Sequence, residues 1–384
     1  MSLWNQLIDQ QQAQAQLAAA AQEEKPTHAW LLTGPAGAGQ ATAALCFAAA
    51  LLCDQPDPAA RACGSCRSCQ SVLKGSHADL LHFKTEKSSI SIEEARDFVI
   101  KAQDRPAVGR WRVILIEDAD RMPERTSNVL LKALEEPPPY TIWILTAPSA
   151  ADVLITIRSR CRPIRLRQPS LQALSAHLQT QAKLSYQEAD LLARLAQGNL
   201  ERALQLAEDP QARKNRDQAA ALPLNLRSVS AAMEAANQLL TLAEEEAQAQ
   251  AQARHEQEEA ALLASLGYSP GEKLSPTHRA QLRQLEEDQK RRSKRIQTDT
   301  LDRFLADLQT FFRDVLTVQL ASGAELINLH LTQEIRAYAQ AHSSQASLAH
   351  LERISTTRRR IRTNANARLA FEALITSLIT EPNP

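Results

Sequence analysis

The stretch HAWLLTGPAGAGQATAA, at residues 28–44, decides the fold because it joins an apolar run to an alanine-rich run through a turn with three glycines. The apolar run predicts a buried strand, and the alanine-rich run predicts a helix. This order is typical of a phosphate-binding loop, whose pattern G-x-x-x-x-G-K-[S/T] places a lysine and a hydroxyl after the last glycine. Gln40 and Ala41 stand at those two positions.

The glycines of this loop, Gly34, Gly37 and Gly39, can still present backbone N–H groups to an anion at the start of a helix. A working loop also needs its lysine on the β- and γ-phosphates and its hydroxyl on Mg²⁺. Gln40 is a shorter, neutral donor, and Ala41 offers the metal nothing. We therefore expect a degenerate phosphate loop without a functional ATP site, and weak phosphate binding stays open.

Two more apolar runs follow, RVILIED at 112–118 and TIWILTA at 141–147, and they alternate with helical patterns such as SIEEARDFVIKAQ, which has Ser91 as N-cap. Such alternation predicts a parallel α/β sheet with ligand sites at the carboxyl ends of its strands. The second run ends in Glu117 and Asp118, the reverse of the Asp-Glu order that couples a metal ion to an attacking water. We interpret the pair as a degenerate second acidic motif.

The composition is that of an ordinary soluble protein, since 44% of its 384 residues are hydrophobic and 23% are charged. Lysine plus arginine and aspartate plus glutamate balance at 44 each, so no overall field draws the chain to DNA or to an anionic membrane. We find no secretory signal and no apolar run near the roughly 20 residues of a membrane span. The length favours two or three domains, and we expect a cytoplasmic protein.

Strand signals end at Arg167, and the rest of the sequence is helical in pattern. Residues 184–210 predict two short helices broken at Gly198. Residues 235–300 contain strong helix formers but few apolar positions, which predicts a long, partly exposed helical pair with its turn at 267–276. A disordered insert is the alternative. NANARLAFEALITSL, at 364–378, recovers an apolar stripe and should be packed.

Four of the six cysteines form a C-x9-C-x2-C-x2-C pattern at Cys53, Cys63, Cys66 and Cys69. In a reducing compartment clustered cysteines favour metal binding over disulfides, and zinc prefers four thiolates in a tetrahedron. Because no further ligand or activating glutamate lies among them, we expect a closed structural zinc site. Dispersed free thiols are the alternative. Cys46 and Cys161 show no metal spacing, and Cys46 is interpreted as a small core residue.

Arg160 stands in TIRSRC, one short loop after the third predicted strand. A guanidinium near the site-bearing edge of a sheet can neutralise charge in phosphoryl transfer, in its own chain or in a neighbouring one. The alternative is a surface arginine, because Arg160 belongs to a basic run that includes Arg158, Arg162, Arg165 and Arg167. Spacing by itself leaves both possibilities open.

Five motifs occur in one order along the chain: HAWLLTGPAGAGQATAA, CGSCRSCQSVLKGSHADL, VILIEDADRM, NVLLKALEEPPPYTIWIL and TIRSRC. Together they resemble the delta-prime family of bacterial DNA polymerase III clamp-loader subunits, within the AAA+ superfamily. The resemblance covers residues 1–210 closely, and the segment 364–378 resembles the final collar helix of such subunits. Residues 235–300 match nothing in the family, which suggests a lineage-specific extension.

The resemblance implies an α/β AAA+ fold, with a RecA-like parallel sheet and helices on both of its faces over residues 1–166. A zinc module would be inserted at about 53–80, with structural Zn²⁺ on the cysteine quartet. A small helical lid at 167–212 would follow, and then an all-α collar or oligomerisation domain at 213–384 that contains the extension at about 235–300.

The function implied by the resemblance is assistance in ATP-dependent loading of the sliding clamp onto primed DNA, without intrinsic ATPase activity, in a subunit of a DNA polymerase holoenzyme. Expected partners are tau/gamma and delta subunits in a hetero-pentamer, the sliding clamp transiently, and primer–template DNA through the assembly. Arg160 matches the arginine that acts in trans on ATP bound to the adjacent subunit.

Two departures from the ATPase pattern support the non-hydrolysing type. The lid sequence GNLERAL has Glu201 where an arginine is expected three residues after the glycine, and Arg202 comes one step late. A carboxylate beside a triphosphate would repel it. The stretch LTAPSA, at 145–150, lacks the polar sensor pattern expected after the third strand.

Two other functions stay open at this level: an ATP-binding tau/gamma-like AAA+ subunit, and a zinc-dependent nucleic-acid-binding module. Gln40, Ala41 and Glu201 argue against the first, and the lack of aromatic residues interleaved with the cysteines argues against the second. The basic clusters at 290–295 and 358–362 either contact DNA phosphates or form solvated helix faces.

Overall fold

The computed structural model describes residues 2–85, 89–266, 268, 275–362 and 366–379. The chain divides into two compact units, Met1–Glu208 and Asp209–Pro384. The first unit contains all of the strands found in the described residues, and the second is helical.

The first unit is built on one parallel sheet, as the sequence predicted, and this sheet has five strands where the sequence indicated three. Its strands, numbered along the chain, are β1 (Ala29–Thr33), β2 (Leu80–Phe83), β3 (Arg112–Ile116), β4 (Thr141–Ala147) and β5 (Arg162–Arg165). Their order across the sheet is β2-β3-β4-β1-β5, and every pairing is parallel. Thr33 pairs with Ala147, which brings the ends of β1 and β4 to one edge.

Helices cover both faces of this sheet because successive strand residues point to opposite sides. On β1, Trp30 and Leu32 belong to the apolar cluster that includes Phe47, whereas Leu31 belongs to the cluster on the other face with Phe98 and Leu130. Strands buried on both faces read as continuous apolar runs, and that is why β1, β3 and β4 were visible in the sequence.

The helices of the first unit are α1 (Gln11–Gln22), α2 (Gln40–Leu51), α3 (Arg67–Leu73), α4 (Ile92–Lys101), α5 (Glu124–Glu135), α6 (Ile155–Arg158), α7 (Leu171–Gln181), α8 (Tyr186–Ala196) and α9 (Leu200–Glu208). The predicted N-cap of α4 is confirmed, because the Ser91 hydroxyl accepts the N–H of Glu94 at 3.3 Å and the Glu94 carboxylate accepts the N–H of Ser91 at 2.7 Å. The break predicted at Gly198 is also confirmed: α8 ends there with φ +50° at Gln197 and φ +78° at Gly198.

The second unit consists of α10 (Pro210–Ala221), α11 (Val229–Ser265), α12 (Pro276–Gln319), α13 (Thr332–Ala341), α14 (Ser344–Arg362) and α15 (Ala367–Ser377). Its apolar core includes Phe304, Phe311, Phe312 and Phe371. Inside that core, Asp314 is fully buried and accepts the backbone N–H groups of Ile327 and Asn328 at 2.7–3.0 Å.

The long helical pair predicted for residues 235–300 is confirmed by α11 and α12, which form an antiparallel hairpin joined by ion pairs. Arg292 pairs with Glu258 at 2.8 Å, and Arg303, nearer the core, pairs with Glu246. Most of the predicted turn at 267–276 lies outside the described residues. The packed C-terminal stripe is confirmed from Asn366 onward, with Phe371, Leu374 and Ile375 buried, while residues 364 and 365 lie outside.

In the part of the chain that the structure describes, no helix is both long enough and apolar enough to cross a membrane.

A buried carboxylate fixes the connection between α4 and β3. Asp79 is fully buried, and its oxygens accept the backbone N–H groups of Ala107, Val108 and Gly109 at 2.5–2.9 Å. Burial opposes ionisation, but these three donors hold the pKa of Asp79 below its usual value. The Asp79 carboxylate thus accepts hydrogen bonds from backbone N–H groups that are not paired within a helix or a sheet.

We expect Asp79→Asn to lower the free energy of unfolding by about 2–4 kcal/mol, because an amide group would face donors that need an acceptor. Urea unfolding followed by tryptophan fluorescence reports on this unit, since Trp4, Trp30, Trp111 and Trp143 all lie in it. With its pKa lowered on folding, Asp79 stabilises the fold above about pH 4, and this is lost as the pH falls through the folded pKa. The control is Asp97→Asn, an exposed partner of Lys101, for which under about 0.5 kcal/mol is expected.

Candidate functional site

The glycine loop at 34–39, which the sequence predicts to be a degenerate phosphate loop, follows β1 directly and ends at the start of α2. Gly37 and Gly39 have φ of +78° and +87°, values that glycine adopts without strain. The amide of Gln40 turns back into the loop and donates to the carbonyl oxygens of Gly34 and of Pro35, the latter at 3.1 Å. The donor that replaces the lysine is therefore engaged by the loop itself.

The turn between α8 and α9 packs against the same loop. A Cβ added at Gly37 would lie 2.2–2.5 Å from atoms of Asn199, so the two residues are in close contact. Asn199 Oδ1 also accepts the N–H of Arg202 at 3.0 Å, which fixes the side chain at the start of α9. On the other side, buried Gln10 bonds to the carbonyl oxygens of Ala38 and Arg167. The loop is thus held closed by protein atoms.

The two carboxylates after β3 are engaged elsewhere. Glu117 is buried, and its oxygens lie 2.8 Å from Nε2 of His82 and 3.5 Å from Nζ of Lys84. Burial opposes its ionisation, yet the hydrogen bond from His82 and the charge of Lys84 hold the pKa of Glu117 below its usual value. Asp118 has φ +54° and pairs with Arg121 at 3.3 Å.

In the turn before α9, the two residues at the expected arginine position differ in their surroundings. Glu201 is exposed, whereas Arg202 is buried and donates to Oε1 of Gln205 at 2.9 Å within its own helix. Arg202, which stands one position after the arginine expected in the ATPase pattern, therefore bonds to a residue of its own helix, α9.

The cysteine quartet comes together as the sequence predicted. The sulfur atoms of Cys53, Cys63, Cys66 and Cys69 all lie within 4.8 Å of one another. Four of the separations are 3.6, 3.7, 3.8 and 4.0 Å. A tetrahedron of thiolates about 2.3 Å from a zinc ion has sulfur–sulfur distances of about 3.8 Å. The donor set and its dimensions fit zinc.

A backbone turn and several hydrogen bonds position these four sulfurs. Ala62 and Gly64 have φ of +61° and +72° and make the turn that carries Cys63. The sulfur of Cys63 accepts the N–H of Cys66, and the sulfur of Cys66 accepts the N–H of Cys69, both at 3.3 Å. Outside the quartet, Asp54 accepts the hydroxyl of Ser68 at 2.5 Å and its N–H at 3.2 Å. These bonds fix the turn and the start of α3.

The thiols differ in character. Burial opposes ionisation of Cys63, but the N–H groups of Ser65 and Cys66 bring its pKa down to about 6. Burial raises the pKa of Cys69. Cys46 and Cys161, outside the quartet, are buried in apolar surroundings that raise the pKa of each to about 12. These two behave as core residues.

Arg160 lies between α6 and β5, next to buried Cys161. Its Nη1 donates to the carbonyl oxygen of Thr156 at 2.7 Å and to the hydroxyl of Ser159 at 3.2 Å, while Nη2 pairs with the carboxylate of Glu135 at the end of α5. About 32% of the Arg160 side chain is exposed.

Much of the charge in the two basic clusters is engaged in contacts along and between helices. In the first cluster, Arg292 is buried against Glu258 and Arg295 pairs with Asp299 at 3.4 Å. In the second, Nε and Nη2 of Arg358 donate to the two carboxylate oxygens of Asp302 at 2.8 and 3.1 Å, which joins α14 to α12. These contacts favour the interpretation as charge-laced helix faces.

Three residues around the site were not anticipated from the sequence: Gln10, Asn199 and Glu135. Each acts across a long stretch of chain, for example from position 10 to position 167. A polar residue that contacts a distant loop leaves no periodic signal. Glu135 stands in the quoted motif NVLLKALEEPPPYTIWIL and Asn199 in GNLERAL, but neither motif indicates the contact that its residue makes.

The two positive-φ glycines of the loop give a matched pair of variants. We expect Gly37→Ala to lower the free energy of unfolding by roughly 2 kcal/mol more than Gly39→Ala, because both carry the left-handed backbone cost but only Gly37 faces another residue. A Cβ at Gly39 meets no atom within 4 Å. Urea unfolding with tryptophan fluorescence measures both, and equal losses would contradict the contact with Asn199.

The chain is similar to subunits of DNA polymerase III. A family model described as "DNA polymerase III, delta subunit" matches residues 9–170, and one described as "DNA polymerase III, delta subunit, C terminal" matches residues 281–380, together well over half of the chain. The tau/gamma subunit of DNA polymerase III from Haemophilus influenzae is 30% identical over 53% of this chain and 30% of its own length. The delta-prime subunit from Pseudomonas aeruginosa is 40% identical over 35% of this chain and 41% of its own.

The matched part of this chain thus spans less than half of the length of either relative. Among solved structures, a DNA polymerase III gamma subunit-related protein from Thermotoga maritima aligns over 96% of this chain and 98% of its own, at 15% identity and a TM-score of 0.43. The clamp-loader resemblance given by the sequence motifs is confirmed by the family models, and the chain belongs to the DNA polymerase III delta-subunit family.

Proposed function

We propose that this chain is a non-hydrolysing, delta-prime-type subunit of the DNA polymerase III clamp loader, which assists ATP-dependent loading of the sliding clamp onto primed DNA. It would assemble with tau/gamma and delta subunits into a hetero-pentamer and meet the clamp and primer–template DNA through that assembly. The 40% identity to a delta-prime subunit and the two matching delta-subunit models support the proposal.

The observation that carries the choice of a non-hydrolysing subunit is the closed phosphate loop. Gln40 donates to the loop's own carbonyl groups, and Asn199 packs against Gly37. A bound nucleotide would have to displace both contacts, and the loop would still lack a lysine for the phosphates and a hydroxyl for Mg²⁺. Glu117, paired with His82, is not free to orient a water.

The alternative, an ATP-binding tau/gamma-like subunit, has the support of a relative at 30% identity over a longer stretch of this chain. It requires the loop to open and the missing groups to be replaced by others, and no described residue of the loop offers an ammonium group. The zinc-dependent nucleic-acid-binding module has less support. Arg61, two residues before Cys63, donates to the carbonyl oxygen of Ala21 at 2.6 Å.

The proposed role of Arg160 is to complete the ATP site of the adjacent subunit. Phosphoryl transfer spreads negative charge over the γ-phosphate oxygens, and a guanidinium placed there from a neighbouring chain stabilises the transition state. The Arg160 side chain is partly exposed, and its backbone is fixed by the burial of Ile157 and Cys161 on either side. In this mechanism the chain supplies a charge and a rigid edge, and the neighbour supplies the nucleotide, lysine and metal.

The cysteine quartet is proposed to hold one structural Zn²⁺. Its four thiolates would fill the coordination sphere and leave no open position for a water molecule, so the ion would stabilise the turn instead of taking part in catalysis. Cys53 follows α2 and Cys69 lies on α3, so the ion would join these two helices.

The first test is the Arg160→Ala variant in the reconstituted loader, with ATP turnover measured in the presence of clamp and primed DNA. Turnover at the site served by Arg160 should fall by about 10³-fold or more, because the transition state loses its trans charge. Total turnover then falls by that site's share, while assembly, followed by gel filtration, stays intact.

The control for this test is Arg165→Ala, which removes an exposed arginine of the same basic run and should leave turnover unchanged. If Arg160→Ala also turns over ATP at the normal rate, the trans role is wrong and the clamp-loader function loses its mechanistic basis.

For the metal, we expect the purified full-length chain to contain a single zinc ion, measured by plasma mass spectrometry, and Cys66→Ser to lose it. Removal of an ion held at a free concentration 1,000-fold above its dissociation constant costs about 4 kcal/mol. The midpoint of thermal unfolding should then fall by roughly 10 °C. Cys161→Ala, outside the quartet, should keep its zinc, and zinc-free wild-type protein of unchanged stability would contradict the assignment.

A further inference from the structure

Arg160 is already neutralised by a partner inside its own subunit. Nη2 contacts the carboxylate of Glu135, the last residue of α5, across 25 positions of sequence. The other terminal nitrogen, Nη1, has only neutral partners: it donates to the carbonyl oxygen of Thr156 and to the hydroxyl of Ser159, which belong to the same short turn. Glu135 is therefore the charged group that holds this guanidinium, while the turn sets its distance from the backbone.

The position of Glu135 on the guanidinium decides what it can do. An arginine binds an oxyanion best through two parallel N–H groups on one edge of its fork, as Arg358 does with Nε and Nη2 on Asp302. In Arg160, Thr156 and Ser159 take the Nη1 end, and Glu135 takes Nη2 on the Nε–Nη2 edge. The Nε atom of that edge is buried and has no hydrogen-bond partner in the described part of the chain.

Glu135 thus takes the place that a phosphate oxygen needs. A carboxylate and a phosphate present the same kind of oxygen to a guanidinium, and both form charge-assisted hydrogen bonds. The pair is only partly shielded, because 32% of the Arg160 side chain and 47% of the Glu135 side chain are exposed. Solvent-exposed ion pairs are weak, so a phosphate group that arrives with more negative charge can displace this carboxylate.

We propose that Glu135 is an internal competitor for Arg160: its carboxylate holds the guanidinium until the neighbouring subunit's nucleotide displaces it. This inference rests on the proposed trans role of Arg160 and adds a regulation of that same site. Glu135 is a positioning residue that never touches the nucleotide, and the bond to Glu135 breaks as the bond from Arg160 to a phosphate oxygen forms. The charge of Arg160 is thereby withheld from a neighbour whose ATP site is empty.

The test is Glu135→Gln in the full-length chain, assembled with tau/gamma and delta subunits, with kcat and KM for ATP measured separately. The amide keeps the shape of the side chain but loses the charge, so the competitor is weakened. KM for ATP should fall by about two- to fivefold, the factor expected for an exposed ion pair, with kcat unchanged. Glu136→Gln, at the adjacent exposed position, is the matched control and should change neither constant.

A double-mutant cycle separates this inference from the function on which it rests. In an Arg160→Ala background, Glu135→Gln should have no effect on KM, because the group through which it acts is gone. An unchanged or raised KM in the single variant, or an equal fall in both backgrounds, overturns the competitor role and leaves the trans role standing. Normal turnover by Arg160→Ala overturns the trans role itself, whatever Glu135→Gln does.

Two measurements without turnover complete the test. The thermal midpoint of the isolated Glu135→Gln chain should equal that of wild type, because an exposed pair contributes little to folding. The affinity of the assembly for a non-hydrolysable ATP analogue, by fluorescence titration, should rise by the same two- to fivefold as KM falls. An unchanged affinity for the analogue overturns the competitor role.

Discussion

Close packing of α2 against the sheet is the constraint on which the rest of the first unit depends. Most buried side chains of this helix are small, namely Ala43, Ala44, Ala48, Ala49 and Ala50, and its one aromatic residue, Phe47, packs edge-on against Trp30 of β1. Close-packed interiors transmit displacement instead of absorbing it. The glycine loop enters one end of α2 and the cysteine turn leaves the other, where Ala49 accepts a hydrogen bond from Cys69 at 3.7 Å. One helix thus fixes both candidate sites.

Side chains that would otherwise act on a nucleotide have become part of the scaffold. Gln40 stabilises the turn that it would have used to contact phosphate, and Glu117 ties β3 to β2 through His82. A buried carboxylate is costly unless it is paired, so this arrangement also removes a charge that an empty site would leave unbalanced. In the proposed non-hydrolysing subunit, the contacts that occupy these side chains would also make the loop rigid.

The sequence was most informative where burial is two-sided and local. Strands β1, β3 and β4 stood out as apolar runs, and the cysteine spacing predicted a cluster that the structure confirms. Strand β5 was missed because Arg162 and Arg165 point to solvent and Pro163 interrupts its pattern, and β2 is only four residues long. Asn199 and Glu135 could not be found, because their contacts join segments whose separation only the fold determines.

The closed loop also bears on how this chain behaves when the cell's energy supply changes. Ordinary nucleotide switches alter shape as ATP gives way to ADP, because the γ-phosphate orders their mobile segments. Here the side chains of Asn199 and Gln10 contact the corresponding loop, and these groups are always present because they are part of the chain. In the proposed clamp-loader subunit, the first unit would therefore keep one conformation whether ATP is scarce or abundant, and it would serve as a fixed surface beside subunits that change shape as they bind and hydrolyse ATP.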